Sequence, residues 1–230
     1  MDDPATTAGD AIGPLVGPYV GPFVGPFVGA VLCGGSSRRM GRDKALAELH
    51  GRPLVLVGAR ALLEAGAERV AAVGGDGAAL AALGLEPVAD DHPGEGPLGG
   101  LLTALRWART PAVVVLSCDL VALGRREVRA VLGGLTAAPR ADVAAPRRGG
   151  QAQLLAAAYR RRSLDRLAER FRQGERAVRR AVADGGLEVH MVEGVDDDRL
   201  LDADTPAELA AAGRSERPEH RAQRSPDGRS

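Results

Sequence analysis

Short apolar runs alternate with helical segments along residues 28 to 119, and this alternation limits the chain to one class of fold. The runs are VGAVLC (Val28–Cys33), RVAAVGG (Arg69–Gly75), LEPVAD (Leu85–Asp90) and AVVVLSCD (Ala112–Asp119). Each is short, continuously apolar and closed by Gly, Asp or a turn, the pattern of a strand buried on both faces. Between them lie LVLVGARALLEAG (Leu54–Gly66), DGAALAALG (Asp76–Gly84) and LGGLLTALRWAR (Leu98–Arg109). Strands buried on both faces need a helical layer above and below, joined by right-handed crossovers. The expected class is therefore α/β, a three-layer sandwich on a mostly parallel sheet. Further strands are predicted at Ala141–Arg147, Ala152–Arg160 and Leu187–Val192, with helices at 163–172 and 175–184. A last helix is predicted near Thr205, where Pro206 suits the first helical turn.

Such sheets bind ligands beyond the carboxyl ends of their strands, which draws attention to the segment GGSSRRMGRDKALAEL (Gly34–Leu49) after the first run. Gly34 and Gly35 let backbone amides come close to an anion, and Arg38 and Lys44 add positive charge. Lys44 is the only lysine, against 29 arginines. In a composition that uses arginine almost throughout, a retained lysine marks a site where a compact ammonium serves and a planar guanidinium does not. The loop matches neither G-x-G-x-x-G nor the G-K-[ST] ending of a P-loop. Alone it indicates phosphate chemistry and no particular enzyme.

The flanks have a different character. Residues 13–28 repeat GPLV GPYV GPFV GPFV, and a proline every fourth residue excludes a helix. Residues 1–27 carry Asp2, Asp3 and Asp10 and no basic residue, which argues against a secretory signal. The expected organisation is a disordered, low-complexity Gly/Pro arm over 1–27, one domain over 28–213, and a disordered polar tail over 214–230. A formal net charge of zero argues against a general nucleic-acid binder. No run is long and apolar enough to span a bilayer, and two cysteines make neither a disulfide framework nor a zinc site. A cytoplasmic enzyme with no nucleic-acid or membrane partner is expected.

The segment VLCGGSSRRMGRDKALAELHGRPL (Val31–Leu54) resembles the L-A-G-G-x-S-x-R-M-G-x-D-K signature of nucleotidyltransferases that make molybdenum dinucleotide cofactors. Three further blocks follow in the family's order: DDHPGEGPLGG from Asp90, VVVLSCD to Asp119, and DADTPAEL from Asp202. By these blocks, over residues 28–210, the chain is identified as a member of the molybdopterin nucleotidyltransferase family of the NTP-transferase superfamily. Its Gly-Gly and Asp43-Lys44 are similar to the guanylyltransferase branch. The resemblance implies a Rossmann-like fold with strand order 3-2-1-4 plus additional strands, and Mg²⁺ as cofactor. It implies GTP and molybdopterin or its molybdenum form as substrates, and molybdoenzymes or their chaperones as partners. By position, the backbone from Leu32 through Cys33 and Gly34 to Gly35 holds the triphosphate, and Lys44 and Arg38 neutralise it. Asp90 helps hold the guanosine portion, Asp119 ligates the metal, and Asp202 is a second metal-side ligand with Asp204 as its neighbour.

The chain departs from the family at Val121 and Leu154, where proline is usual, at Gly74, where some relatives place an asparagine, and at Asp202 and Asp204, which replace an asparagine pair. These departures leave three alternatives: a CTP-dependent cytidylyltransferase, a nucleotide-sugar pyrophosphorylase of the same superfamily, and a non-catalytic nucleotide-binding protein. His50, His92, His190 and His220 are too scattered for a metal cluster. The arginines at 160–162 and 179–180 read as solvated faces within reach of the pterin phosphate. Cys33 and Cys118 fall at the ends of strands that neighbour one another in a 3-2-1-4 order. Their side chains then lie either side by side, in bridging range, or on opposite faces of the sheet.

Overall fold

A strand with two apolar faces persists only between two covering layers, and β1 (Phe27–Leu32) is buried at every position in the computed structural model, which describes residues 25–34, 44–203 and 208. Along the chain follow a hairpin of β2 (Glu48–Leu49) and β3 (Arg52–Pro53), then α1 (Leu54–Glu64), β4 (Val70–Val73), α2 (Gly77–Ala82), β5 (Glu86–Val88), α3 (Pro97–Trp107) and β6 (Ala112–Ser117). The second half comprises α4 (Arg125–Ala137), β7 (Val143–Arg148), β8 (Gln151–Ala152), β9 (Ala156–Arg160), α5 (Leu164–Arg172), α6 (Val178–Asp184) and β10 (Val189–Val192). The main sheet runs β10-β7-β9-β6-β1-β4-β5, with β8 paired to β7. Strands β5, β4, β1 and β6 are parallel. Counted among these four, the order is the expected 3-2-1-4. Strand β9 is antiparallel to both β6 and β7, and β10 is parallel to β7.

Alternation along β1 builds the two layers. Phe27, Val31 and Cys33 enter a cluster with Val55, Ala59 and Leu62 of α1 and Val131 and Leu135 of α4. Val28, Ala30 and Leu32 enter the other, with Leu101 and Leu105 of α3, Phe171 of α5 and Val182 of α6. Strand β1 thus opens at Phe27, which is core and not part of the repeat's arm. No helix among the described residues is long and apolar enough to cross a membrane.

The sequence pattern above assigns no helix to 120–140, and α4 fills that gap. Its charged residues at 125–127 and its Gly133-Gly134 pair imitate a loop, but Val128, Val131, Leu132 and Leu135 recur at i, i+3, i+4 and i+7 and are all buried. The Glu127 carboxylate accepts the Gly124 N–H at 2.9 Å, tying the first turn. The strand expected over Ala152–Arg160 divides into β8 and β9. The helix expected from Thr205, the arm over 1–24 and the tail from 214 lie outside the described residues.

The edge of the sheet opposite the strands' carboxyl ends is closed by arginines. Asp142, 3% exposed, accepts from Arg162 Nε at 2.8 Å, an Arg166 guanidinium nitrogen at 2.6 Å and the Glu188 N–H at 3.1 Å. Burial pushes its carboxyl up, but the Arg162, Glu188 and Arg166 bonds outweigh burial and hold it below the usual carboxylate range. Arg160 donates to the Leu135 and Ala141 carbonyls and Arg161 to the Ala108 carbonyl, satisfying chain ends that the helices leave open. Arg160–Arg162 are therefore structural caps, and their edge is remote from any ligand at the strands' carboxyl ends.

Candidate active site

The parallel connections reverse direction at β1: the chain steps from β1 to β4 and β5 on one side, then returns through α3 to β6 on the other. In an open α/β sheet this switch point is where a crevice forms. Lys44 follows β1 and Asp119 follows β6, so the two residues flank the crevice.

Lys44 opens a short 3₁₀ turn, Lys44–Leu46, whose Ala45 is buried. The Ala47 N–H donates to the Lys44 carbonyl at 3.1 Å and the Leu54 N–H to the Ala47 carbonyl at 2.8 Å, so the turn is pinned between the β2–β3 hairpin and the start of α1. From there Lys44 Nζ donates to Asp119 Oδ2 at 3.0 Å, the two side chains being 13% and 22% exposed. Partial burial strengthens the pairing over that of an open surface pair while leaving both groups in reach of a ligand. Asp119 sits in the turn that β6 enters, and the Cys118 N–H donates to the Leu32 carbonyl at 3.2 Å. The ends of β1 and β6 are thereby fixed to one another.

Beside this pair, the backbone of the first loop meets a second carboxylate. The Cys33 N–H donates to the Val73 carbonyl at 2.8 Å, so Gly34 emerges exposed next to Gly74. Asp90 Oδ1 accepts the His92 N–H at 3.0 Å and lies 3.0 Å from the Thr103 hydroxyl. Its Oδ2 points at two glycines, 3.5 Å from where a Cβ on Gly34 would stand and 4.0 Å from one on Gly100. Gly74, at φ +77°, completes a wall without side chains, since a Cβ there would come 3.1 Å from Gly34 Cα and N. Glycine at position 74 suits this close approach, because both the left-handed backbone and the nearby Gly34 main chain disfavour a side chain. Of the other departures, Val121 packs with Ala47, Leu49, Leu54 and Ala203, and Leu154 joins the α3 layer.

The described residues thus bring together Leu32, Cys33, Gly34, Lys44, Asp90 and Asp119. Gly35, Arg38 and Asp204 lie outside them. Asp202 reaches the same edge, pairing by a β-bridge with Leu120, but its Oδ1 accepts from Arg148 at 2.9 Å. Arg179 donates to the Ala152 carbonyl at 3.4 Å and Arg180 pairs with Glu175 at 2.7 Å. Both thiols, Cys33 and Cys118, are buried and belong to one cluster. They follow the paired residues Leu32 and Ser117, which makes them lateral neighbours on the same face. Two further residues, Thr103 and Arg148, contribute to the site. Thr103 is a buried hydroxyl on an otherwise apolar helix face, a signal that was available, whereas nothing local distinguishes Arg148 from the other arginines.

Residues 29–189 match the family model described as MobA-like NTP transferase domain. The chain belongs to that family. It is a nucleotidyltransferase of the MobA-like group. A "probable molybdenum cofactor guanylyltransferase" of Chloroflexus aggregans is 34% identical over 190 residues, 78% of this chain and 89% of that protein. One of the same name from Opitutus terrae is 39% identical over 158 residues, 67% of this chain and 76% of its own length. Among solved structures, molybdopterin-guanine dinucleotide biosynthesis protein A of Archaeoglobus fulgidus superposes with a TM-score of 0.64 at 23% identity, covering 81% of this chain and 97% of that one. That likeness concerns the MobA-like fold, whose crevice here carries Lys44 and Asp119.

Proposed function

We propose that the chain transfers GMP from GTP to molybdopterin or its molybdenum form, releasing pyrophosphate and forming the guanine dinucleotide cofactor. The observation that carries this reading is the Lys44–Asp119 pair at the switch point, 3.0 Å apart, in a chain whose relatives are named for guanylyl transfer. In the reaction a terminal phosphate oxygen of the acceptor attacks the α-phosphorus of GTP. A new P–O bond forms, the bond from the α-phosphorus to the β-bridging oxygen breaks, and pyrophosphate leaves with that electron pair. The chemistry is mostly alignment and charge neutralisation.

The chain's residues divide the work. The amides of Gly34 and its neighbours face the triphosphate, and the ammonium of Lys44, compact enough to sit between phosphate oxygens, takes up charge as it develops on the leaving pyrophosphate. Asp90 presents Oδ2 through the glycine wall to the N–H or O–H groups of the guanosine. Arg38, four residues after Gly34 in sequence, is assigned to add further positive charge. Mg²⁺ commonly takes one or two carboxylates, completing its shell with water and substrate phosphates. Asp119, a partly exposed hard oxygen donor, fits that demand although no cluster of three or more acidic, His or Cys side chains is gathered among the described residues. When bound, the ion would neutralise phosphate charge and orient the α-phosphate.

The test is pyrophosphate release by the purified chain with molybdopterin and Mg²⁺, supplying GTP, CTP, ATP or UTP in turn. Release with GTP is expected to exceed that with the others by at least tenfold. A preference for CTP would move the chain to the cytidylyl reading, and no release with any nucleotide would make it a binding protein.

A further inference from the structure

We propose that Arg148 and Asp202 form a clasp that positions Asp119, and that Asp202 acts through this clasp and not as a metal ligand. The proposal rests on Asp119 being the metal's carboxylate, as read above. The segment Leu200–Ala203 lies across the turn after β6 as a strap. The Val121 N–H donates to the Leu201 carbonyl at 3.2 Å and the Ala203 N–H to the Asp119 carbonyl at 3.1 Å. Between these bonds Leu120 and Asp202 form an isolated antiparallel bridge. A lone bridge of this kind has little stability of its own, so the strap needs an anchor.

Arg148, the last residue of β7, supplies it. One guanidinium nitrogen donates to Asp202 Oδ1 at 2.9 Å and to the Leu200 carbonyl at 3.1 Å. The next residue, Gly149, donates its N–H to Asp197 Oδ2 at 3.3 Å. Arg148 thus holds the strap at Leu200 and Asp202, Gly149 holds the turn before it at Asp197, and the strap holds the Asp119 main chain. Alternation decides the direction of the Asp202 side chain. Val121 and Ala203 share one small cluster, while Leu120 enters the main core on the other side. Residues directly opposite in an antiparallel pair project to the same face, so Asp202 projects with Leu120, toward Arg148, and Asp119 projects with Val121, toward Lys44. A metal ion shared by both carboxylates would have to draw Asp202 off its arginine and across the strap.

The clasp is tested by hydrogen–deuterium exchange and steady-state kinetics on the full chain and on Arg148→Gln, Asp202→Asn and the charge-swapped pair Arg148→Asp with Asp202→Arg. Both single variants should speed exchange over 119–121 and 197–203 about fivefold, as loss of a partly exposed charged pair predicts. Exchange in β1 and β4 should not change, and kcat should fall with KM for the nucleotide unaltered. The swapped pair should restore only the ion-pair part of the protection, leaving exchange between that of the single variants and that of the parent, because an aspartate at position 148 cannot donate to the Leu200 carbonyl. The proposal is overturned if Asp202→Asn abolishes Mg²⁺-dependent turnover with exchange unchanged while Arg148→Gln is silent, which would make Asp202 a ligand. If instead Asp119→Asn retains Mg²⁺ dependence, the assignment of Asp119 fails, and the exchange data still decide the clasp.

Discussion

Replacing Gly74 by alanine should damage both stability and nucleotide binding, because the end of β4 and the first loop touch there through backbone alone. At φ +77° an L-residue carries a steric penalty of about 1–2 kcal/mol. The added Cβ would also stand 3.1 Å from Gly34 Cα and N, a contact with backbone that no rotamer change relieves. Withdrawal is opposed by two bonds, from the Gly74 N–H to the Val88 carbonyl at 2.9 Å and from the Cys33 N–H to the Val73 carbonyl at 2.8 Å. Stretching one or both adds about 1–2 kcal/mol. The sum, about 2–4 kcal/mol, corresponds to a fall in Tm of about 4–16 °C for a chain of this size. Under the proposed function, relief through Gly34 would displace the amides assigned to the triphosphate and raise KM for GTP. Denaturant unfolding and nucleotide titration measure the two effects. Gly133→Ala is the control: nothing lies within 4 Å of its Cβ position inside α4, so it should stabilise by about 0.5–1 kcal/mol. A Gly74→Ala protein within about 0.5 kcal/mol of the parent, with unchanged GTP affinity, would mean that the β4 end and the first loop tolerate a side chain there, since that is the scatter of indifferent surface changes.

Three further outcomes are expected. Lys44→Arg should lose most turnover despite keeping the charge, because the wider guanidinium does not fit between phosphate oxygens; near-native kcat would show that only charge is needed. Asp119→Asn should remove Mg²⁺-dependent turnover with the fold intact by circular dichroism, and an unchanged Mg²⁺ dependence would put the metal elsewhere. Asp142→Ala should lower stability at neutral pH by about 2–3 kcal/mol through loss of its charge-assisted bonds. The folded carboxyl of Asp142 lies below its ordinary range, so its contribution is complete above the unfolded pKa of about 3.9 and disappears as pH falls through the lower folded value. Unfolding curves of parent and variant should converge in acid, and a gap that persists at low pH would contradict the pairing.

The parallel half of the sheet and most of the site were legible in the sequence for one reason: both depend on what happens at strand ends. Continuous apolar runs revealed β1, β4, β5 and β6, and their terminal residues are Gly34, Gly74, Asp90 and Asp119. The second half depends on long-range pairing. Gly149 and Gly150, at φ +55° and +80°, form the two-residue turn of a β7–β8 hairpin, and Gly-Gly is a recognised signal for such a turn, weakened here by the polar Arg147, Arg148 and Gln151 on either side. The antiparallel course of β9 follows from that turn. The clasp between Arg148 and Asp202 spans 54 residues, and no spacing rule reaches that far. In α4 the periodicity was present but masked by surface charge. For Cys33 and Cys118, period-2 alternation alone leaves the faces open until the β1–β6 register is known, and the register puts both on one face.

Whether the crevice between β1 and β6 moves a nucleotidyl group to a pterin phosphate is decided by following the α-phosphate itself. The purified chain is incubated with GTP labelled at the α-phosphorus, molybdopterin and Mg²⁺, and the products are separated and weighed by mass spectrometry. Label should appear in a molybdopterin guanine dinucleotide in step with unlabelled pyrophosphate, and Lys44→Arg and Asp119→Asn should both suppress it. Label that stays in GTP, or passes to free GMP with the pterin unmodified, would mean that the crevice does not join the nucleotide to the pterin.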